Sequence, residues 1–217
     1  MPSSPTTVTA LRQMLAARFP ERARASVGHV VTEIRGLDDA LGGGLPTGRF
    51  TEVVSEGPGT GGQSIIAQLL AVTRRARQRI ALIDGADGFD AAEVPPDHLR
   101  HLVWVRGRGV ADAFAAADIL LRDGNYAVVI LDTRGLSERA LLKTPTTTWH
   151  RMRHATEAGS IAALVLSTTA LVPTVPRRLV LREPIPLAAR RRLRSTLAAE
   201  LTFDLVRGQV EIEEKSA

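Results

Sequence analysis

The chain has 217 residues, with 28 lysines and arginines against 23 aspartates and glutamates, and it contains no cysteine. That length supports one domain with a full apolar core plus short extensions. The lack of thiols excludes a disulfide framework and thiolate metal sites, and the longest apolar runs, at residues 127–131 and 161–166, are far too short for a membrane-spanning helix. The formal charge of +5 is almost wholly arginine, since Lys143 and Lys215 are the only lysines. Such a balance favours a polyanionic or acidic partner. His150 and His154 are four apart, but no acidic residue stands at ligand spacing, so no metal site is expected.

The first ten residues show no charged region followed by an apolar segment and cleavage site, and the expectation is a soluble, cytoplasmic protein. Residues 6–19 place Leu11, Met14, Leu15 and Phe19 on one helical stripe, with Pro20 as a stop. A basic tether follows to residue 29, and residues 30–217 form the main domain. Within it, strands are expected at 50–54, 80–83, 102–105, 127–131 and 161–166. Helices are expected at 64–77, 110–122 and 147–158. The strands are continuous apolar runs without polar alternation, the pattern of strands covered on both faces. Their alternation with helices predicts a three-layer α/β domain with a largely parallel sheet. Strands at 179–181, 201–206 and 209–212 are expected to close the chain with a terminal hairpin.

Between the first strand and the first long helix runs Glu-Gly-Pro-Gly-Thr-Gly-Gly-Gln-Ser, residues 56–64. Gly57, Gly62 and Ser64 fall on the fixed positions of the phosphate-binding pattern G-x-x-x-x-G-K-[ST], while Gln63 stands where lysine belongs. A glycine turn opening a helix aims backbone N–H groups and the positive end of the helix dipole at one point, which suits an anion. Asp132 ends the apolar run Ala-Val-Val-Ile-Leu-Asp. Two readings are open for it: a Mg²⁺ ligand through water opposite the Ser64 hydroxyl, or a cap for the next turn.

Residues 35–53, Arg-Gly-Leu-Asp-Asp-Ala-Leu-Gly-Gly-Gly-Leu-Pro-Thr-Gly-Arg-Phe-Thr-Glu-Val, followed by the glycine loop, resemble the opening of a RecA-type core. More narrowly, the chain resembles the short RecA-like ImuA family, sometimes grouped with SulA-like proteins. The resemblance is good over residues 32–90, fair to residue 166, and beyond that rests on strand order. It implies a RecA-like fold and a part in SOS-induced translesion DNA synthesis, beside RecA and an inactive Y-family polymerase homologue. It also locates departures: the loop lysine falls on Gln63, the glutamate that orients the attacking water falls on Ala86 with Asp87 beside it, and a later glutamine falls near Ser167 or Thr168. Phosphoryl transfer depends on positioning and charge stabilisation, so the expected protein is not an enzyme. No cofactor is required, although weak binding of ATP and Mg²⁺ by a vestigial site at Gly57, Gly62, Gln63, Ser64 and Asp132 stays open.

Arg177 and Arg178 fall where the resemblance implies a DNA-contacting loop, and Arg190, Arg191, Arg192 and Arg194 form a second cluster. Both are expected to bind DNA phosphates without sequence specificity. The Leu11, Met14, Leu15 and Phe19 stripe is expected to bind a partner or a second copy of the chain. The function expected is a non-catalytic adaptor in translesion synthesis. The alternatives are a divergent DNA-dependent ATPase, with Arg74 or a neighbouring subunit supplying the missing cation, and a cell-division inhibitor of the SulA kind.

Overall fold

The computed structural model describes residues 28–207 apart from 158, 174 and 176, and for Arg190, Ser195 and Arg207 the backbone alone. The Leu11, Met14, Leu15 and Phe19 stripe and the 209–212 strand lie outside the described residues.

A short antiparallel pair, β1 (His29–Val30) and β2 (Leu45–Pro46), brackets helix α1 (Arg35–Leu41). Asp38 reaches back from the first turn of α1 to accept from the backbone N–H groups of Thr32 and Glu33, at 3.1 and 2.9 Å. Gly42, at φ +81°, ends the helix in the left-handed conformation, and Gly43 N donates to Asp38 O at 2.8 Å.

From β3 (Arg49–Ser55) onward, strands and helices alternate: α2 (Gly62–Arg75), β4 (Ile80–Asp84), α3 (Pro96–Leu99), β5 (Leu102–Arg106), α4 (Val110–Asp123) and β6 (Val128–Asp132). Next come α5 (Glu138–Leu141), α6 (Thr146–Glu157), β7 (Ala162–Ser167), β8 (Arg177–Leu181), α7 (Arg194–Ala199) and β9 (Asp204–Arg207). The seven long strands form one sheet in the order β5-β4-β6-β7-β3-β8-β9, parallel except where β9 runs antiparallel to β8. This is the three-layer α/β architecture of a RecA-like core, as the strand and helix pattern predicts.

Side chains alternate between the two faces of the sheet. Ile80, Leu82, Val128, Ile130, Leu164 and Leu166 face α1, α2 and α7. Ala81, Ile83, Val129, Leu131, Ala163 and Val165 face α4 and α6. On that second face Trp149 meets Phe114 and Phe50 edge-on, with ring centroids 4.9 and 6.3 Å apart. Burial on both faces accounts for the unbroken apolar strand runs.

The C-terminal region departs from expectation. The segment that carries the second arginine cluster, for which no element is expected from the sequence, forms a 3₁₀ turn (Leu187–Arg191) and α7. The last described strand begins at Asp204 rather than 201, and its partner is β8.

A partly buried histidine sets a pH dependence. Thr73 Oγ1 donates to Leu69 O at 2.6 Å, so at 2.8 Å from His101 Nε2 it accepts. Nε2 therefore carries a proton, and Nδ1 is buried without a partner. Burial, with the positive Arg74 close by, holds the His101 pKa below its ordinary value. A depressed folded-state pKa gives stability that is present above about pH 6.5, the unfolded value, and lost as pH falls through the folded one. Thermal melts from pH 7.5 to 5 should show this loss in the native chain and a flatter profile in His101→Asn.

Candidate functional site

The site is built where β3 feeds α2. The chain leaves β3 at Ser55 and turns through the glycines into the first turn of the helix. Gly59 and Gly61 have φ of +75° and +111°, conformations that suit glycine. At Gly61 space is limiting as well, because a Cβ there would lie 2.4 Å from Leu201 Cδ2. Thr60 closes the turn by donating its hydroxyl to Gly57 O at 3.1 Å. Ile65 N donates to Gly61 O at 3.1 Å and begins the helical ladder. The N–H groups of Gly62, Gln63 and Ser64 therefore belong to the open first turn, at the positive end of the helix dipole.

The loop lines a cleft of about 670 Å³, together with Asp132, Arg134, Thr168, Ile185, Arg192, Arg194 and Leu197. The vestigial site residues Gly57, Gly62, Gln63, Ser64 and Asp132 are thus brought together as expected. The Gln63 and Asp132 side chains are engaged by other parts of the protein. Gln63 Nε2 donates to Gly88 O at 2.9 Å, which ties the loop to the segment after β4. Asp132, 4 % exposed, takes the capping reading: its Oδ1 accepts from Arg134 N at 3.1 Å. The same turn folds the Arg134 guanidinium back onto the carboxylate, with Nε 2.8 Å from Oδ1 and Nη2 2.6 Å from Oδ2. Both oxygens that would face a metal are occupied.

The neighbouring carboxylates are committed too. Asp84, level with Asp132 across the β4–β6 pair, accepts from Gly88 N at 2.8 Å, Phe89 N at 2.9 Å and Trp104 Nε1 at 3.3 Å. Asp87, beside Ala86, is bound by Arg106 of edge strand β5 through both oxygens at 2.5 Å. That guanidinium holds Asp87 below the usual carboxylate range. Among the described residues, no group of three histidines, aspartates or glutamates could hold a metal ion.

The arginines divide. Arg177 and Arg178 open β8 instead of lying in a loop. Arg177 Nη1 donates to Ala40 O at 3.2 Å. Arg178 Nε donates at 2.6 Å to Glu52 Oε2, and Glu52 is 0 % exposed. The DNA contact expected of Arg178 is thus replaced by a buried ion pair that anchors the connection from β7 to β8. Arg74, the alternative source of a loop cation, pairs with Asp97 at 2.8 Å near the far end of α2. The second cluster comes to the loop itself. Ile185 N donates to Gly59 O at 2.9 Å, Leu201 packs against Gly61, and Arg192 and Arg194 line the cleft. Arg192 is paired with Glu200 at 2.5 Å and Arg194 with Glu93 at 3.7 Å, while Arg191 is exposed.

Arg134 is the residue that sequence reasoning misses. The signal was present in Leu-Asp-Thr-Arg, because a guanidinium two residues past a strand-end aspartate can turn back onto it. The placement of residues 184–201 over the loop carried no local signal. No protein-family model matches the chain, and none of the curated proteins compared with it matches either.

Proposed function

We propose that the chain is a non-catalytic RecA-like adaptor, which holds DNA and protein partners during SOS-induced translesion synthesis and does not hydrolyse nucleotide. The observation that carries the non-catalytic part is the Arg134–Asp132 clasp above the glycine loop, with side-chain exposures of 18 % and 5 %. It replaces a metal-binding carboxylate with a neutral pair. Gln63 supplies no compensating charge, and Ala86 leaves nothing to orient water. Loss of the cation, the metal ligand and the water-orienting group together removes the main sources of phosphoryl-transfer catalysis.

The assignment to translesion synthesis, with RecA and an inactive Y-family polymerase homologue as partners, rests on the ImuA-like segment from residue 35 to 64. DNA binding rests on the arginine cluster of residues 190–194, in which Arg191 and Arg192 are exposed. The test is genetic. Deleting the gene in its host should lower the frequency of ultraviolet-induced mutation, and both the native gene and Gln63→Lys should restore it. Unchanged mutation frequency in the deletion, with filamentation on overexpression, would instead support the cell-division inhibitor.

A further inference from the structure

Three arginines reach the glycine loop: Arg134 from the turn after β6, and Arg192 and Arg194 from the C-terminal segment. The Arg134 guanidinium lies against the first turn of α2, so that a Cβ on Gly62 would fall 1.6 Å from Nη1. Nε and Nη2 hold Asp132, whereas Nη1 forms no hydrogen bond among the described residues. Two further groups in the cleft wall lack partners. Ser55 is 3 % exposed and its hydroxyl bonds to nothing, and Arg194 Nε is likewise buried and unpaired. A buried donor without an acceptor is costly unless an incoming group supplies one. The loop N–H groups, the Ser55 hydroxyl and the guanidinium N–H groups all suit a phosphate oxygen.

We infer that this loop seats a backbone phosphate of single-stranded nucleic acid, without a divalent cation. The inference rests on the DNA-binding reading above and gives it a location. Asp132, clasped by Arg134, offers no metal site, and the other two carboxylates of the lining are paired as well, Glu56 with Arg182 at 3.3 Å and Glu93 with Arg194 at 3.7 Å. A polymer fits the mouth of the cleft better than a mononucleotide does. Arg191, next in sequence to the cleft-lining Arg192, is exposed with no carboxylate partner among the described residues, and Leu187 and Leu193 are 77 % and 76 % exposed on either side of the arginine run. They provide another phosphate contact and apolar surface for bases next to the first phosphate.

Fluorescence anisotropy of a labelled oligothymidine with the full chain, across a salt series in EDTA and in Mg²⁺, tests the inference. Binding should be equal in the two buffers. Arg194→Ala and Arg134→Gln should each weaken it about tenfold or more, lowering the log–log salt slope by about 0.7 for each phosphate that is no longer neutralised. Arg134→Gln combined with Asp132→Asn restores local charge balance and should remain weak, because the guanidinium itself touches the phosphate. Full recovery in that double variant would overturn the inference. Loss of binding in Arg191→Ala, with Arg134→Gln and Arg194→Ala unaffected, would place DNA outside the cleft and leave the DNA-binding reading intact. Absence of DNA binding by the native chain at every salt concentration would remove both. Displacement of the oligonucleotide by equimolar Mg·ATP, with ATP binding lost in Arg134→Gln, would assign the cleft to a mononucleotide and also overturn the inference.

Discussion

Glu52→Ala is expected to destabilise the protein by about 3–5 kcal/mol, because it leaves the partly buried Arg178 guanidinium uncompensated. For a chain of this size that is a fall in Tm of about 6–20 °C. Glu52 does more than pair with Arg178. Its Oε1 accepts from Leu171 N at 2.6 Å, Val172 N at 3.3 Å and Ser167 Oγ at 3.3 Å, so one buried carboxylate organises the whole exit from β7. Arg178 completes the arrangement by donating Nη2 to Val172 O at 3.0 Å. Exposed pairs give the contrast. Arg35 and Asp39 lie 3.7 Å apart with side chains 89 % and 74 % exposed, and Asp39→Ala should change stability by less than about 1 kcal/mol. Arg178→Ala should melt low like Glu52→Ala, yet per folded molecule it should show the native salt dependence of DNA binding. A native Tm for Glu52→Ala would mean that the pair contributes nothing to the fold.

The second large effect concerns Arg134. Arg134→Ala exposes a carboxylate that the native protein keeps clasped, and it should lose about 1–3 kcal/mol through the broken charged hydrogen bonds. The freed Asp132 then shares the cleft with the Ser64 hydroxyl, a donor pair that suits Mg²⁺. Added Mg²⁺ should restore part of the lost stability, by about 1.4 kcal/mol at ten times its Kd. The native protein should show no Mg²⁺-dependent change in Tm. An equal Mg²⁺ shift in both proteins would show that the clasp does not mask the carboxylate.

How far the sequence revealed this site depended on the range of the interaction concerned. The glycine loop and Asp132 sit at strand ends whose apolar runs are unmistakable, so their convergence was expected and is found. The clasp is a contact between residues two apart, readable in principle from Leu-Asp-Thr-Arg. The arginines required knowledge of pairing between distant segments. The resemblance puts Arg178 in a loop, whereas its partner Glu52 stands 126 residues away on the neighbouring strand. Likewise, Arg192 and Arg194 reach the loop only because Ile185 and Leu201 fasten their segment to Gly59 and Gly61. Periodicity and motif spacing report local structure, whereas these contacts come from tertiary packing that overrides it.

Steady-state release of inorganic phosphate from Mg·ATP, with and without single-stranded DNA, bears most directly on the non-catalytic reading. The native chain, Gln63→Lys and Asp132→Asn should all match the protein-free rate, since the lysine alone restores neither a free metal-binding carboxylate nor a group to orient water. DNA-stimulated phosphate release by the native chain, abolished in Asp132→Asn, would contradict it.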